Sequence, residues 1–305
     1  FKDNGFARFA QCGFANGGVV FFNRKGKPER AVGVSCVLNC CHGGAGEGGG
    51  VAGLCQIIGV PFASAGLYES AAFMDKFLTK LTLQSLGAKT AKYAYSRDIA
   101  GAIEGAKALG YPVIVKPATL GSSIGIAKCS DEEELKRALD TAFQLDGGVL
   151  IEEYLPDRRE INCAAYASGG KVITSPLEEA ISPGDVLSYD DKYCGGGKRV
   201  FPAELDEKTA EHIKSETERV YFALNMRGIV RFDFIISRGE IYISEINTVP
   251  GSLSQYLLSD SYKNFYYVLV KLIEQAKADF AEQKGRRIIT TGILNGITPA
   301  KTIKK

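Results

Sequence analysis

"GIVRFDFIISRGEIYISEINTVPG", residues 228–251, reads as two β-rich runs joined across Arg238-Gly239. Side chains alternate along a strand, so Arg231 and Asp233 share a face of the first run, and Glu245 and Asn247 share a face of the second. How the runs pair decides whether these faces meet. A two-residue turn at Arg238-Gly239 opposes Asp233 to Ser244 and sends Glu245 to the other side, because a one-residue slip reverses every side chain. A three-residue connection, Arg238 to Glu240, opposes Asp233 to Glu245 and Arg231 to Asn247. Only that register gathers two carboxylates, an amide and a guanidinium. Gly239 lies inside either connection, so it permits a left-handed residue without deciding between them.

Hard oxygen ligands of this kind, few in number, suit magnesium shared with phosphate oxygens. The plain alternative is a solvent-facing hairpin with cross-strand ion pairs. A second stretch bears on the choice. "YPVIVKPATLGSSIGIAK", residues 111–128, ends an apolar strand on Lys116 and follows it with a loop of small residues. A lysine beside exposed backbone N–H groups can grip a polyphosphate, although the loop alone is also what a flexible hairpin looks like. It is not a Walker A loop, because the lysine precedes the glycines. Together the two stretches describe a nucleoside triphosphate held between a lysine-bearing sheet and a carboxylate-bearing hairpin.

The rest of the chain fits a globular α/β protein of two or three domains. Its 305 residues include 37 basic and 35 acidic ones, a net charge of +2 that implies no general affinity for nucleic acid or membrane. It starts at Phe1 rather than Met, which leaves room for residues ahead of it, and shows no secretory leader. No apolar run approaches the roughly 20 residues that span a bilayer. The eight cysteines lie mostly in apolar stretches without a spaced framework, which points to a reduced, cytoplasmic chain. "CVLNCCH", Cys36 to His42, offers zinc-type ligands but lacks paired C-x-x-C spacing.

Residues 1–30 are Gly-rich and unassigned, "RAVGVSCVLNCC" reads as a strand, and "GEGGGVAGLCQIIG" as a turn running into a helix, together half of an α/β unit. One helix is expected over "ESAAFMDKFLTKLTLQSLG", stopped by Gly87. Strand, helix, strand, loop and strand then alternate from Thr90 to Lys128. "SDEEELKRALDTAFQL" opens a sheet-packing helix with Ser130 and Glu133 in capping-box spacing. Beyond about Leu155 the pieces are short and β-rich, and an amphipathic helix closes the chain from about Tyr262 to Phe280.

The order "GVPFASAG…MDK", "YPVIVKP…GSSIG", "VLIEEYL", "YDDKY", "RFDF" and "EINTVPG" resembles the ATP-grasp superfamily and, within it, the D-alanine:D-alanine ligases, from about Cys40 to Ile273. The resemblance implies an α/β (α+β) ATP-grasp fold with the nucleotide between two α+β regions. A partial N-terminal α/β domain would span 1–75, a central subdomain 76–157 and a C-terminal subdomain 158–305. It implies a cytoplasmic enzyme of peptidoglycan precursor synthesis using ATP, two Mg²⁺ ions (Mn²⁺ being a substitute) and small-molecule substrates, D-alanine first among them. A homodimer is among the assemblies it allows.

Residue by residue, Lys76 and Lys116 match the family's phosphate-flanking lysines and Lys192 a third near the γ-phosphate. Loop 119–125, with Ser122 and Ser123, would close over ATP. Glu152, with the backbone of Glu153 and Leu155, would contact adenine, and Glu160 the ribose. Asp233, Glu245 and Asn247 would hold the metal ions, with Glu245 bridging. Arg231 and the Gly251 N–H would stabilise the tetrahedral oxyanion. Ser122 and Tyr193 match residues linking the active-site loops, and His42 and Glu47 match the first-substrate segment. Tyr193 also implies D-alanine rather than D-lactate as acceptor.

Two departures stand out. The family's N-terminal βαβ unit carries a glutamate in a "GG-x-S-x-E" stretch that has no counterpart here, and Tyr256-Leu257 stand where Ser-Leu is usual. An ATP-grasp ligase for another carboxylate and amine, or a nucleotide-binding paralogue without turnover, are the competing readings. Phosphate release with a panel of D- and L-amino acids and D-lactate separates them.

Overall fold

The computed structural model describes residues 12–15, 17–23, 25–121, 123–181 and 198–285. Near the N-terminus β1 (Cys12–Ala15), β2 (Gly18–Phe22) and β3 (Pro28–Gly33) form an antiparallel sheet in that order. The strand expected over 30–41 therefore stops at Gly33. Five of the six β3 residues are exposed, which suits an antiparallel meander and not the buried parallel strand of an α/β unit. Of the strand itself, a parallel bridge from Val37 to Phe62 is what remains among the described residues. Between them a Gly-rich turn leads into α1 (Val51–Ile58), as expected.

The helix expected over 69–87 is two: α2 (Leu67–Met74) and α3 (Lys76–Ser85). Asp75 breaks it. Its backbone is extended, and its carboxylate accepts from the N–H groups of Phe77 (2.8 Å) and Leu78 (3.2 Å), capping α3. Apolar periodicity running through "AAFMDKFL" hid this cap. Gly87 follows the end of α3 at φ +70°.

The second sheet contains β4 (Tyr93–Ser96), β5 (Val113–Pro117), β6 (Ala127–Cys129) and β7 (Val149–Glu153) in the order β4-β7-β5-β6. Between these strands run α4 (Ile99–Leu109) and α5 (Glu132–Leu145). They bury Ala102, Ala106, Leu135 and Leu139 against Val113, Val115 and Ile151. The α5 cap lies one residue beyond the expected Ser130. Asp131 accepts from the Glu134 N–H (2.8 Å), and Glu134 reaches back to the Ser130 N–H (2.7 Å). Strand alternation turns Ile114, Lys116 and Glu152 to the face away from these helices.

The third sheet contains β8 (Arg159–Ser168), β9 (Lys171–Thr174), β10 (Glu178–Ile181), β11 (Lys198–Val200), β12 (Val230–Ser237) and β13 (Glu240–Asn247). Its order is β11-β10-β8-β12-β13, with β9 on β8. One face packs on α6 (Glu207–Ala223) through Ile161, Cys163, Phe232, Phe234, Ile213 and Val220. Leu83 of α3 joins this core, so α3 ties the third sheet to the second. The other face meets α7 (Tyr262–Gly285), which runs past the expected end near Phe280. Among the described residues no helix is long and apolar enough to cross a membrane.

The β12–β13 hairpin combines the two expected registers. Its turn is the two-residue one, with Ser237 opposite Glu240 and both Arg238 (φ 50°) and Gly239 (φ 76°) left-handed. Regular pairing continues to Phe234 opposite Ile243. There the register shifts, Ser244 is passed over, and Asp233 comes opposite Glu245 and Arg231 opposite Asn247. The extra residue comes from a β-bulge inside the strand and not from a longer turn. The cluster forms by a different route from the one expected.

Candidate active site

On the bulged hairpin, Arg231 grips Asp233 in a fork: Nε to Oδ1 at 2.6 Å and Nη2 to Oδ2 at 2.8 Å. The Asn247 amide donates to the same Oδ2 at 2.9 Å. Burial works against the charge on Arg231, but Asp233 outweighs it and raises the guanidinium pKa, so the cation is permanent. Facing this hairpin is the segment from His42 to Glu47. Burial raises the Glu47 carboxyl, the Gly43 N–H (2.6 Å) and His42 pull it back, and the charges of Glu245 and Arg231 act on it in opposite directions. His42, Glu47, Arg231 and Glu245 thus share one electrostatic neighbourhood.

Asp233, Glu245 and Asn247 put two carboxylates and an amide on one face. Among the described residues no group of three or more His, Cys, Asp or Glu forms a metal site, the Cys36–His42 stretch included. The seven described cysteines are all free. The donor chemistry of the hairpin fits a hard cation that takes its remaining oxygens from phosphate and water, as magnesium does, and not a closed protein cage.

Lys76 stands at the first position of α3 because Asp75 breaks the helix there. Its backbone N–H bonds Ala118 O (2.8 Å) and its ammonium donates to Leu120 O, so it holds the root of the small-residue loop. Burial lowers the Lys76 pKa, the Glu245 charge raises it and Lys116 lowers it again. These couplings bring the lysine sheet and the carboxylate hairpin to one place. Asp146 Oδ2 fixes the same loop by accepting from Thr119 N (2.6 Å) and Oγ1 (2.9 Å). Ser123 turns the loop at φ 58°.

Glu152 accepts charge from two sides, pairing with Lys116 through Oε2 and with Lys80 through Oε1. Burial alone would raise its pKa, but the two lysines outweigh it and hold it at about 2. A cleft lined by Lys80, Lys116, Glu152, Leu155, Arg158 and Tyr242 lies where an adenine contact is expected. The Glu153 N–H is bonded to Lys92 O (3.0 Å) and its Oε1 accepts from Lys92 N (2.7 Å), so its N–H is committed to the strand edge. Glu160 pairs with Arg158 at 2.7 Å beside this cleft.

Beyond residues 248–250, which follow β13, Gly251 opens a turn in which Ser252, Leu253 and Ser254 are all left-handed. The Tyr256 hydroxyl lies 3.4 Å from Glu178, a buried carboxylate that also accepts from Asn162 (2.9 Å), and Arg199 stacks over the phenol ring. Ser122, Lys192 and Tyr193 lie outside the described residues. Two residues that sequence reasoning missed are Lys80 and Glu178. Lys80 falls one helical turn after Lys76, a spacing that puts the two lysines on one face, and that was the available signal. Nothing local marks Glu178.

Comparison with known proteins agrees with this geometry. The family model described as the D-ala D-ala ligase C-terminus matches residues 87–275. A D-alanine–D-alanine ligase of Thermosipho africanus is 36% identical over 262 residues, covering 82% of this chain and 70% of that protein. Among solved structures, the D-alanine–D-alanine ligase of Helicobacter pylori superposes with a TM-score of 0.70 at 30% identity, covering 86% of this chain and 76% of that one. That of Bacillus anthracis, solved in complex with ATP, gives 0.66 at 25% identity over 83% and 82%. The lysine sheet, the bulged carboxylate hairpin and these likenesses converge, and the chain belongs to the D-alanine–D-alanine ligase family.

Proposed function

We propose that the chain joins two D-alanines at the expense of ATP, as a cytoplasmic step in making peptidoglycan precursors. The observation that carries this reading is that Lys76 on α3 is coupled electrostatically both to Lys116 of the second sheet and to Glu245 of the third, since cations for a polyphosphate and hard ligands for its counter-ion are needed at the same point. Three units serve it, divided at about residues 75 and 157. The first D-alanine binds on the His42–Glu47 side, and the nucleotide between the second and third sheets.

The carboxylate of the first D-alanine attacks the γ-phosphorus and ADP leaves, giving an acyl phosphate. The amine of the second D-alanine then attacks the acyl carbon, and phosphate leaves from the tetrahedral intermediate. Lys76 and Lys116 neutralise the phosphate charge, and Glu152 fixes Lys116 until the nucleotide arrives. Arg231, locked by Asp233, offers its remaining N–H groups to the oxyanion, with the Gly251 N–H beside it. Asp233, Glu245 and Asn247 would hold magnesium, which when bound offsets charge on the transferring phosphoryl oxygens. Lys192, Ser122 and Tyr193 complete the closed site in this reading.

Phosphate release with ATP, Mg²⁺ and a panel of D- and L-amino acids plus D-lactate tests the proposal. Release that requires D-alanine, with D-alanyl-D-alanine as the product by mass, is expected. Release with a different pair would instead assign another carboxylate–amine ligation to the same site.

A further inference from the structure

Lys80 has no place in the roles assigned so far, yet its side chain is 1% exposed, against 14% for Lys116. A buried lysine is costly unless it is paired, and burial does lower its pKa. Its one charge partner within salt-bridge distance among the described residues is Glu152 Oε1, while Lys116 takes Oε2. Two cations therefore share one buried carboxylate. Such an arrangement leaves one cation in excess, and the excess one is the more exposed Lys116, which faces the cleft.

Resting on the reading that nucleotide phosphates bind at Lys116, we propose that Lys80 is a positioning residue. It stays on Glu152 when Lys116 transfers to phosphate, so Lys116 can leave without stranding a buried carboxylate. Lys80 is far less accessible to a phosphate than Lys116, and with one carboxylate and one lysine the transfer would break a closed ion pair. Breaking such a pair by withdrawing one partner is among the more expensive changes a protein interior can undergo. With Lys80 retained, Glu152 remains charged, fixed and available to an adenine edge in both states.

The consequence is measurable as a proton. The charged or titratable groups around Glu152 are Lys76 and Lys80 from α3, Tyr93 opposite it on β4, Lys116 from β5, Glu153 beside it on β7, Arg158 (paired with Glu160) from the linker and Tyr242 from β13. In Lys80→Met, ATP binding would take Lys116 away and leave Glu152 with no direct partner. Its pKa must then rise on binding, so the carboxyl takes up a proton and affinity improves as pH falls.

Titration calorimetry of MgATP without amino acid, in two buffers of different protonation enthalpy at about pH 8, reads this directly. Wild type and Lys80→Arg should bind with almost no proton uptake. Lys80→Met should bind about ten- to a hundredfold more weakly, take up close to one proton, and recover affinity as pH falls towards about 6. The double variant Lys80→Met, Glu152→Gln should lose the proton uptake, because no carboxylate is left to strand. Lys80→Met binding that is weakened equally at every pH with no proton uptake would show a merely structural lysine and overturn the proposal. So would wild-type affinity in that variant. Failure of the wild type to bind ATP would overturn the nucleotide reading itself, and the proposal with it.

Discussion

Glu152 and Glu245 lie among the same lysines, but their charges serve different partners. Glu152 is satisfied inside the protein by Lys80 and Lys116, whereas Glu245 acts through space on Lys76, Arg231 and Glu47 from a strand face shared with Asp233. Replacing Glu245 by Gln preserves its shape and the strand pairing while removing the charge a magnesium ion would meet. We expect phosphate release to fall by about two to three orders of magnitude. Thermal unfolding should move by only a few degrees, because no apolar contact is lost. Wild-type turnover in Glu245→Gln would sink the metal assignment. Arg231, Asp233 and Asn247 were legible in the sequence because a spacing of two fixes a shared strand face. Lys80 was not, because a buried lysine and a solvated one look alike on a helix until the tertiary partner is known.

The hairpin shows where legibility stops at the level of the element. Both strands and their chemistry can be read from the residues, but turn length does not set register here, because the bulge at Ser244 separates the two. A bulge is set by how β13 twists against β12 and α3, which no local residue type announces. The same limit hid the break at Asp75, where a good N-cap sits inside an uninterrupted apolar pattern. The turn itself makes a clean test. A Cβ at Gly239 would meet nothing within 4 Å, so Gly239→Ala tests only the left-handed backbone at φ +76°. It should cost about 1 kcal/mol, read as a drop of a few degrees in unfolding temperature. Turnover below that transition should be unchanged, since the bulge restores the pairing of Asp233 with Glu245 well away from the turn. Loss of turnover in the fully folded variant would show that the turn, and not the bulge, sets the active register.

Across the whole molecule the ordered motifs were enough to place the fold, but not the contacts between its parts. Gly228 is one such contact. It precedes β12 at φ +69°, its carbonyl accepts from the buried Tyr221 hydroxyl (2.8 Å), and an added Cβ would lie 2.5 Å from the Ser64 Cα. Ser64 Oγ accepts from the Asn39 N–H (2.9 Å), and the Asn39 side chain in turn bonds Gly46 O (2.9 Å) and Cys41 N (3.0 Å). A path of contacts therefore runs from the root of the Arg231 strand to the turn that carries His42 and Glu47. Gly228→Ala adds left-handed strain to a backbone clash that no rotamer can relieve, so about 3 kcal/mol of stability should be lost. Whatever relaxation the clash forces begins at Ser64. We therefore expect the KM for the first D-alanine to rise several-fold while the KM for ATP, which on the proposed function binds between the other two sheets, changes little. Equal loss at both substrates would mean that the strain travels along β12 to Asp233 instead, and that the Ser64–Asn39 path does not hold the first-substrate segment in place.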